Sequence, residues 1–467
     1  MTTPDLGRLA LGVLVGAFAG TSLPDDYREL LADGLGGVCL FGSNTGSSTL
    51  VELTTAIRAA SPTAVIAIDE EGGDVTRLHA TGLSPVPGAA VLGALDDLAL
   101  THDVGRAVGA ELRAVGVTLD LGPVADVNTN PDNPVIGTRS FGSDPDLVAR
   151  HVAAWTSGLQ EAGVAACVKH FPGHGDTAVD SHLALPTVHA DRETLATREL
   201  VPFAAAVAAG AASVMTSHLV VPSLDPGVPA TFSRPVLDLL RDRIGFTGVV
   251  VSDALDMAGA SADRGVPEAA VLALAAGVDL LCLGSDHPAA SVREVQSAIV
   301  SAVQEGRLPL ARIEDAVTRV AGMRAELVMP APYEINVQRL DDAVRRAMVV
   351  EGELPDLTGA RVLSVDTQAN IAVGDVPWGI APDEVVDPST AHLPDGAFIV
   401  QVRDAHRRPE VIQLLRRVEE SKVRAVVIEW GWPGAYAAGL PRICTLGVSG
   451  PGVRAVEALL REKGWTP

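Results

Sequence analysis

The stretch Gly248–Asp253 reads Gly-Val-Val-Val-Ser-Asp, an apolar run without alternation that ends on a carboxylate. Continuous hydrophobicity over a few residues is typical of a strand that is buried on both faces, as in a parallel sheet. Two further runs end in the same manner, one on Asp69 and one on the pair Lys169 and His170. The three runs therefore predict buried parallel strands whose carboxyl ends carry polar side chains.

Eight such runs alternate with stretches of helical periodicity over about the first 330 residues. Helical spacing is clearest in Leu147–Gln160, Arg192–Ala209 and Ala289–Glu305. Eight strand–helix units fit an α/β fold of the (β/α)8 TIM barrel type, in which the loops after the strands converge over one mouth. Polar residues that end the runs, now including His218, should therefore lie together. The eight runs are Leu9–Phe18, Gly37–Phe41, Ala64–Asp69, Val117–Leu121, Val164–His170, Ala212–His218, Gly248–Asp253 and Val278–Leu283.

The rest of the chain predicts a second, smaller open α/β (αβα) domain. Met-Pro-Ala-Pro at 329–332 interrupts the helical pattern, and a linker helix is expected around Leu340–Val350. The predicted limits are 1–330 for the catalytic barrel, 331–358 for the linker and 359–467 for the second domain. A glycine-rich turn at 447–452 resembles a phosphate loop only weakly, because it contains a proline and no acidic ribose partner follows it.

Charge and composition restrict the class of partner. A formal net charge of -23 argues against nucleic acid and against an anionic membrane surface. The apolar run Leu9–Ala19 is too short to span a bilayer and lacks a basic segment before it, so we expect a soluble, cytoplasmic protein. Four scattered cysteines, Cys39, Cys167, Cys282 and Cys444, are expected to be buried thiols in a reducing compartment.

The densest polar cluster begins at the end of the fifth run, with Lys169 and His170, and continues to Asp180 and His182. Asp180 and His182 are two residues apart, so in an extended segment they project from one face. A carboxylate that accepts from one imidazole nitrogen leaves the other nitrogen free for proton transfer. Lysine occurs only three times, which leaves 35 - 3 = 32 arginines, so Lys169 indicates a need for a compact ammonium.

Other charged residues are also expected to lie at the mouth of the barrel. Asp253 is placed to point into it, whereas Asp256 is expected to interact with the start of the next helix. Arg77 and Arg139 could grip hydroxyls, an acetamido group or a substrate carboxylate, or could pair with neighbouring acids. With Lys169 they form a locally basic set that is compatible with an anionic substrate.

Four motifs together resemble a known family. They are Asp-x-Glu-Gly-Gly from 69, Arg-Ser-Phe from 139, Lys-His-Phe-Pro-Gly-His-Gly from 169 with Asp-Ser-His from 180, and Ser-Asp-Ala-Leu-Asp-Met from 252. In this order they are similar to the bacterial β-N-acetylglucosaminidase (NagZ-like) branch of glycoside hydrolase family 3, in its two-domain type. The resemblance covers about residues 5–330. One departure is Asp74, where many relatives have arginine; we expect this position to face away from the sugar.

The resemblance implies a retaining exo-β-N-acetylglucosaminidase that acts on cell-wall (muropeptide) or chitin-type fragments. It implies that Asp253 is the nucleophile and that Asp180 and His182 are the acid/base pair. The residues that it implies for holding the terminal N-acetylglucosamine are Asp69, Arg77, Arg139, Lys169 and His170.

Three alternatives stay open at this stage. A neutral histidine base does not repel an anion, so inorganic phosphate could replace water as the acceptor and make the chain a phosphorylase. A metal-dependent hydrolase could use His170, His174, Asp180 and His182, although their spacing matches no zinc pattern. A non-catalytic sugar-binding relative is the third, although the nucleophile and the acid/base pair are all present. We expect no cofactor and no metal.

Overall fold

The computed structural model describes residues 5–45, 49–179, 185–262, 264–325, 333–367, 369–374, 376–389 and 396–467. Eight parallel strands form one sheet in the order eighth, first, second and so on to seventh. A parallel bridge between Val251 and Leu280 joins the seventh strand to the eighth and closes the barrel. The strands are Leu14–Gly16, Gly37–Leu40, Val65–Ile68, Leu119–Asp120, Ala165–Phe171, Ser213–Thr216, Val249–Val251 and Leu281–Cys282.

Helices surround these strands and bury them on their outer side. Inside the barrel the core contains Cys39, Cys167 and Cys282, so the expectation of buried free thiols is confirmed for these three and for Cys444. Among the described residues, no helix combines the length and the apolar character needed to cross a bilayer. The described α-helices of four or more residues in the barrel are Leu6–Gly12, Asp25–Asp33, Gly42–Thr45, Leu50–Ala60, Ala89–Leu95, Leu98–Ala114, Pro145–Glu161, Leu200–Ala208, Arg234–Asp238, Ala258–Ser261, Gly265–Ala276, Ala289–Gln304 and Leu310–Ala325.

Each predicted run contains one barrel strand, but the first run is not a strand throughout. Its first residues belong to the helix Leu6–Gly12, which the Asp5 side chain caps by accepting from the Arg8 backbone N–H. Ala10 and Leu11 are buried on the inner face of that helix. A short apolar run does not distinguish a buried helix from a buried strand, so the prediction of a strand from Leu9 was wrong.

A second sheet of six strands lies between helices on both faces, in an αβα arrangement. Alternate residues of Phe398–Val402 enter two separate cores: Ile399 packs on one face, and Phe398 and Val400 pack on the other. The helices of this part are Val337–Ala347, Pro409–Glu420 and Gly450–Arg461. In spatial order the strands are Val349–Glu351, Arg442–Cys444, Ala425–Glu429, Phe398–Val402, Arg361–Val365 and Glu384–Val386.

The segment that joins the two sheets has structure of its own. The helix Val337–Ala347 begins and ends three residues before the expected helix. Strand Val349–Glu351 then pairs antiparallel with Arg442–Cys444, although it falls inside the range 331–358 predicted to be a linker. The second sheet thus takes its first edge strand from residues ahead of 359, and the predicted domain limits stay a prediction.

Candidate active site

A cavity of about 540 Å³ opens at the carboxyl ends of the barrel strands. Buried side chains of the barrel interior close its floor; they are Cys39, Leu121, Met215 and Cys282. Six sequence-predicted site residues line the cavity, namely Asp69, Arg77, Arg139, Lys169, His170 and Asp253. The structure therefore brings the described candidates to one mouth. The predicted acid/base pair, Asp180 and His182, lies outside the described residues.

Lys169 lies at the end of the fifth strand and only 2% of it is exposed. Its ammonium nitrogen Nζ is 2.7 Å from an oxygen of Asp69 and 2.7 Å from an oxygen of Glu71. Burial alone would lower the pKa of this lysine, but the two carboxylates outweigh burial and raise it. Lys169 is therefore a permanent cation held between two acids.

Arg139 uses its planar fork on the same glutamate. Its Nε and Nη2 atoms donate to the two oxygens of Glu71 over 2.9 and 2.8 Å, and both side chains are buried. Burial would raise the pKa of Glu71, but Arg139 and Lys169 hold it well below its ordinary value. Asp69, Glu71, Lys169 and Arg139 together carry no net charge. Two members of the predicted locally basic set, Lys169 and Arg139, are therefore neutralised by acids, and compatibility with an anionic substrate stays a prediction.

The glutamate is placed by a small hairpin after the third strand. Strands Glu70–Gly72 and Val75–Thr76 pair antiparallel around Gly73, whose φ is +58°. A Cβ atom at Gly73 would lie 2.6 Å from the Cα atom of Gly88, so this approach requires glycine. The two glycines of the Asp-x-Glu-Gly-Gly motif thus turn the chain and leave Glu71 under the cavity.

His170 is oriented by an acid that the sequence interpretation did not include. Its Nδ1 atom is 2.7 Å from an oxygen of Asp126, which is fully buried in the loop after the fourth strand. The other oxygen of Asp126 accepts from the backbone N–H groups of His170 and His174 over 3.3 and 2.7 Å. Asp126 thereby fixes both histidines of the motif, and its position just after an apolar run was the available signal.

His174 also lines the cavity and is 2% exposed. Its Nδ1 atom is 2.7 Å from the Thr177 hydroxyl, while its Nε2 atom is buried without a hydrogen-bond partner in the described structure. Burial lowers the pKa of His174 to about 4, so the ring is neutral at physiological pH. The sequence interpretation considered His174 only as a metal ligand, and no group of metal-binding side chains occurs among the described residues.

Asp253 lies two residues after the end of the seventh strand, and its side chain is half-buried at the cavity wall. One carboxylate oxygen accepts from the Ala254 N–H over 2.8 Å. His218 is buried and its Nε2 atom is 2.9 Å from the Ala254 carbonyl, so it supports this turn from below. Asp256 lies at the cavity edge, 3.4 Å from His287, and the helix that follows begins only at Ala258. The expected helix-start role of Asp256 was therefore wrong.

Arg77 reaches out of the barrel. Its Nη2 atom donates to the Ala372 carbonyl over 2.6 Å and its Nη1 atom donates to the Val373 carbonyl over 3.3 Å. Both carbonyls belong to a turn of the second sheet's half of the chain, and this turn also lines the cavity. In the structure Arg77 is thus occupied by backbone oxygens from far along the sequence, which no local pattern could have shown.

The chain is similar in sequence to a known protein family. Residues 15–323 match the family model described as the glycosyl hydrolase family 3 N terminal domain. The chain belongs to glycosyl hydrolase family 3. The family resemblance, the TIM barrel with a second α/β sheet, and the class of glycoside hydrolase are thereby confirmed.

Three proteins of known name or structure are similar to this family 3 chain. It is 33% identical over 338 residues to β-hexosaminidase A of Pseudoalteromonas piscicida; the match takes in 66% of the chain and 56% of that protein. A solved family 3 β-N-acetylglucosaminidase from Paenibacillus sp. is 30% identical with a TM-score of 0.89, covering 99% and 97% of the two chains. The β-N-acetylhexosaminidase of Beutenbergia cavernae is 32% identical with a TM-score of 0.63, covering 70% of this family 3 chain and 100% of its own.

Proposed function

We propose that the chain is a retaining exo-β-N-acetylglucosaminidase that removes terminal β-linked N-acetylglucosamine through a covalent glycosyl-aspartate on Asp253. The observation that carries the proposal is a cavity in a family 3 barrel whose floor is closed by buried side chains, with Asp253 and the neutral, hydrogen-bonded set of Asp69, Lys169, Glu71 and Arg139 among its lining residues. A closed end suits the removal of one terminal residue. The Paenibacillus relative is a β-N-acetylglucosaminidase, which supports the choice of sugar.

The buried ion set suits a neutral, hydroxyl-rich sugar. Asp69 offers carboxylate oxygens and is 20% exposed at its side chain, while Lys169 and His170 offer N–H donors beside it. Hydrogen bonds to charged partners are shorter and stronger than those between neutral groups, so they fix the orientation of hydroxyls. We assign Asp69, Lys169 and His170 to direct contact with the terminal sugar, and Arg139 to the support of Glu71 and thereby of Lys169.

The reaction proceeds by two displacements. The Asp253 carboxylate attacks the anomeric carbon while the bond to the leaving oxygen breaks, and the His182 imidazolium gives its proton to that oxygen. The neutral His182 then takes a proton from water, which attacks the same carbon and releases Asp253. Asp180 orients the imidazole and stabilises its charged form, as the carboxylate of a catalytic triad does.

Trapping the intermediate tests the role of Asp253. A fluorinated N-acetylglucosaminyl substrate, which slows the second step, is expected to leave a sugar adduct on the peptide that contains Asp253, detected by mass spectrometry. Asp253→Ala should lower kcat by a factor on the order of 10⁴ or more, whereas Asp256→Ala at the cavity edge should retain most activity. Potent inhibition by a thiazoline mimic without any adduct would show that the acetamido group is the nucleophile instead.

Leaving-group dependence tests the role of His182. General acid help matters most for poor leaving groups, so His182→Ala should slow an N-acetylglucosamine disaccharide far more than a nitrophenyl N-acetylglucosaminide. Equal losses on the two substrates would contradict an acid/base role for His182. Product analysis with and without inorganic phosphate identifies the acceptor: we expect free N-acetylglucosamine in both, and sugar 1-phosphate would indicate phosphorolysis.

We propose cell-wall (muropeptide) or chitin-type fragments as the natural substrates and the cytoplasm as the site of action. Four buried free thiols suit a reducing compartment. Because the end of the cavity carries no net charge, any charge on the substrate belongs to the leaving group. Comparing kcat/KM for a chitin disaccharide with that for a muropeptide of the same linkage tests which leaving group is preferred.

A further inference from the structure

A turn of the second half of the chain, residues 370–374, reaches the mouth of the barrel; we call it the rim turn. The Gly374 N–H donates to the Asn370 carbonyl over 3.0 Å, and the Val373 N–H donates to the Asn370 side chain over 3.0 Å, so the turn is closed on itself. It follows the strand Arg361–Val365 of the second sheet. Its conformation is therefore set by its own hydrogen bonds.

Two barrel elements hold the rim turn in place. Arg77 donates to the carbonyls of Ala372 and Val373, and the Asn370 amide donates to the Pro134 carbonyl over 3.4 Å. The Ala372 methyl group also packs on the buried cluster of Val124, Val135 and Ile136. Polar and apolar contacts thus dock the turn on the loop that carries Arg139.

The rim turn forms one side of the cavity, and Ile371 is its largest exposed side chain. Val373 is 6% exposed, whereas Ile371 is 54% exposed and lines the mouth. Ligand cavities are lined mainly by apolar side chains, and an aliphatic side chain at the entrance offers apolar area to a bound group. The closed floor requires the terminal sugar to lie inward, so the group next to Ile371 is the leaving group.

Resting on the function proposed above, we propose that Ile371 forms part of a leaving-group site for a pyranose, whose C–H face packs on the isoleucine. The solved Beutenbergia cavernae relative aligns over its whole length with 70% of this chain, about the share that the barrel represents. That β-N-acetylhexosaminidase therefore has no counterpart of about 30% of this chain, a share close to that of the second sheet and its helices. The rim turn adds contact area at the mouth, where it selects the leaving group.

The test compares two substrates that share the terminal sugar. N,N′-diacetylchitobiose has a pyranose leaving group, and β-N-acetylglucosaminyl fluoride has a single atom. For Ile371→Ser we expect kcat/KM to fall about tenfold on the disaccharide, the scale of losing one buried aliphatic contact, and less than twofold on the fluoride. Ile371→Leu should restore the value for the disaccharide. Val385→Ser is the matched control, because Val385 is 62% exposed on the far edge strand of the same sheet.

The outcomes separate this inference from the proposed function. Equal losses on both substrates would show that the rim turn shapes the terminal-sugar site, and no loss on either would show that Ile371 contacts nothing; both results would overturn the inference while the function stands. An equal loss in Val385→Ser would also overturn it. A wild-type chain that cleaves neither substrate would overturn the function and the inference together.

Discussion

Lys169 shows at the scale of one residue how the site depends on paired charges. Its ammonium lies 2.7 Å from each of two carboxylates with almost no exposure to water. Removing one partner of a buried ion pair leaves the other charge uncompensated, at a cost of about 3–5 kcal/mol. We expect Lys169→Met to lower the free energy of unfolding by that amount, measured by urea denaturation.

Lys463→Met provides the control for Lys169. Lys463 is exposed near the carboxyl end of the sequence, and substitutions at such positions change stability by less than about 0.5 kcal/mol. A loss in Lys169→Met that is no greater than in the control would contradict the view that Asp69 and Glu71 depend on this cation. A full loss of activity with unchanged stability would limit Lys169 to sugar binding.

Protonation of the Glu199 side chain makes the free energy of unfolding depend on pH. It lies beneath the Gly173 turn of the motif, and burial raises its pKa to about 7 from 4.5, with Arg198 opposing the shift and Asp126 and Asp176 adding to it. Between these two pKa values the folded protein holds a proton that the unfolded chain has lost, so the contribution of Glu199 to stability is fully present below about pH 4.5 and is lost as the pH rises through about 7. At about 1.4 kcal/mol per pKa unit the fall amounts to about 3 kcal/mol.

The Glu199→Gln variant lacks this fall because its amide does not ionise. The difference in free energy of unfolding, variant minus wild type, should grow by about 3 kcal/mol between pH 4.5 and pH 7.5. Glu193→Gln, at an exposed position six residues earlier, should show no such growth. Burial also raises the pKa of Glu429 to about 7, but that effect is common to both proteins and cancels in the difference. A constant difference at all pH values would contradict the prediction.

How far the sequence predicted the site depended on where each partner lies in the chain. Asp69, Lys169, His170 and Asp253 end buried strands, so barrel geometry alone places them at one mouth. The partner of Arg77 is a turn almost 300 residues later, and its contact exists only once two sheets have docked.

Glu71 and Asp126 were missed because both are buried acids that support other side chains. Their function is to hold Lys169, Arg139 and His170 rather than to face the cavity openly. Acidic residues are usually exposed, so a sequence pattern does not indicate that such an acid is buried beside a site. Glu71 nevertheless belongs to the Asp-x-Glu-Gly-Gly motif.

At the scale of elements, uninterrupted apolar runs predicted all eight barrel strands because both faces of those strands are buried. Because a buried helical turn is equally apolar, the same criterion wrongly predicted a strand at Leu9–Gly12, which belongs to a helix. Strand Val349–Glu351 was missed for the opposite reason: it has only three residues and all are exposed, so no buried apolar run marks it, and hydrogen bonding to Arg442–Cys444 defines it.

The amino ends of the strands contribute stability rather than chemistry, and Asp279 provides the test. It is fully buried ahead of the eighth strand, where it accepts from Arg241 over 2.6 Å, from the Val250 N–H over 2.9 Å and from Arg312. Asp279→Ala leaves two guanidiniums without their buried acid, so we expect a loss of about 3–5 kcal/mol in urea unfolding. Because the cavity is at the opposite ends of the strands, kcat below the unfolding range should stay within about twofold.

Asp315 offers the matched control for Asp279. It also contacts Arg312, but its side chain is 44% exposed, and exposed ion pairs contribute at most about 1 kcal/mol. Asp315→Ala should therefore cost far less than Asp279→Ala. Comparable losses in the two variants would mean that burial does not govern this network, and a large fall in kcat for Asp279→Ala would contradict the separation of stability from chemistry along the barrel.

The barrel and the part of the chain that contains the second sheet are joined by several independent contacts. His406 is 3.0 Å from the Pro131 carbonyl, the Gly450 N–H donates to the Ser84 carbonyl over 2.8 Å, and Val91 packs on Val344 and Ala455. These contacts are additional to those of the rim turn. The second sheet is therefore held against the mouth firmly enough for its residues to form part of the cavity.

Asp74 lies within this contact region and does not line the cavity. One of its oxygens accepts from the Thr138 hydroxyl over 2.7 Å and the other accepts from the Val448 N–H over 3.1 Å, which ties the barrel to the glycine-rich turn at 447–452. The anion-binding character of that turn is thus satisfied within the chain. Burial raises the pKa of Asp74, with the charge of Arg403 opposing the shift.

Removing this carboxylate should loosen the second sheet before it affects the barrel. Asp74→Ala leaves two buried donors unsatisfied, at about 1–3 kcal/mol each.

Four of the five tryptophans, Trp378, Trp430, Trp432 and Trp465, lie beyond residue 359, and Trp155 lies in the barrel. Tryptophan fluorescence therefore reports mainly the second sheet, while circular dichroism reports the whole chain. In Asp74→Ala we expect the fluorescence midpoint in urea to fall below the dichroism midpoint, whereas in the wild type and in the exposed-site control Glu294→Ala the two should coincide. Coincident midpoints in Asp74→Ala, shifted together, would instead mean that the two sheets unfold as one unit and that Asp74 supports the whole rather than the docking of one part.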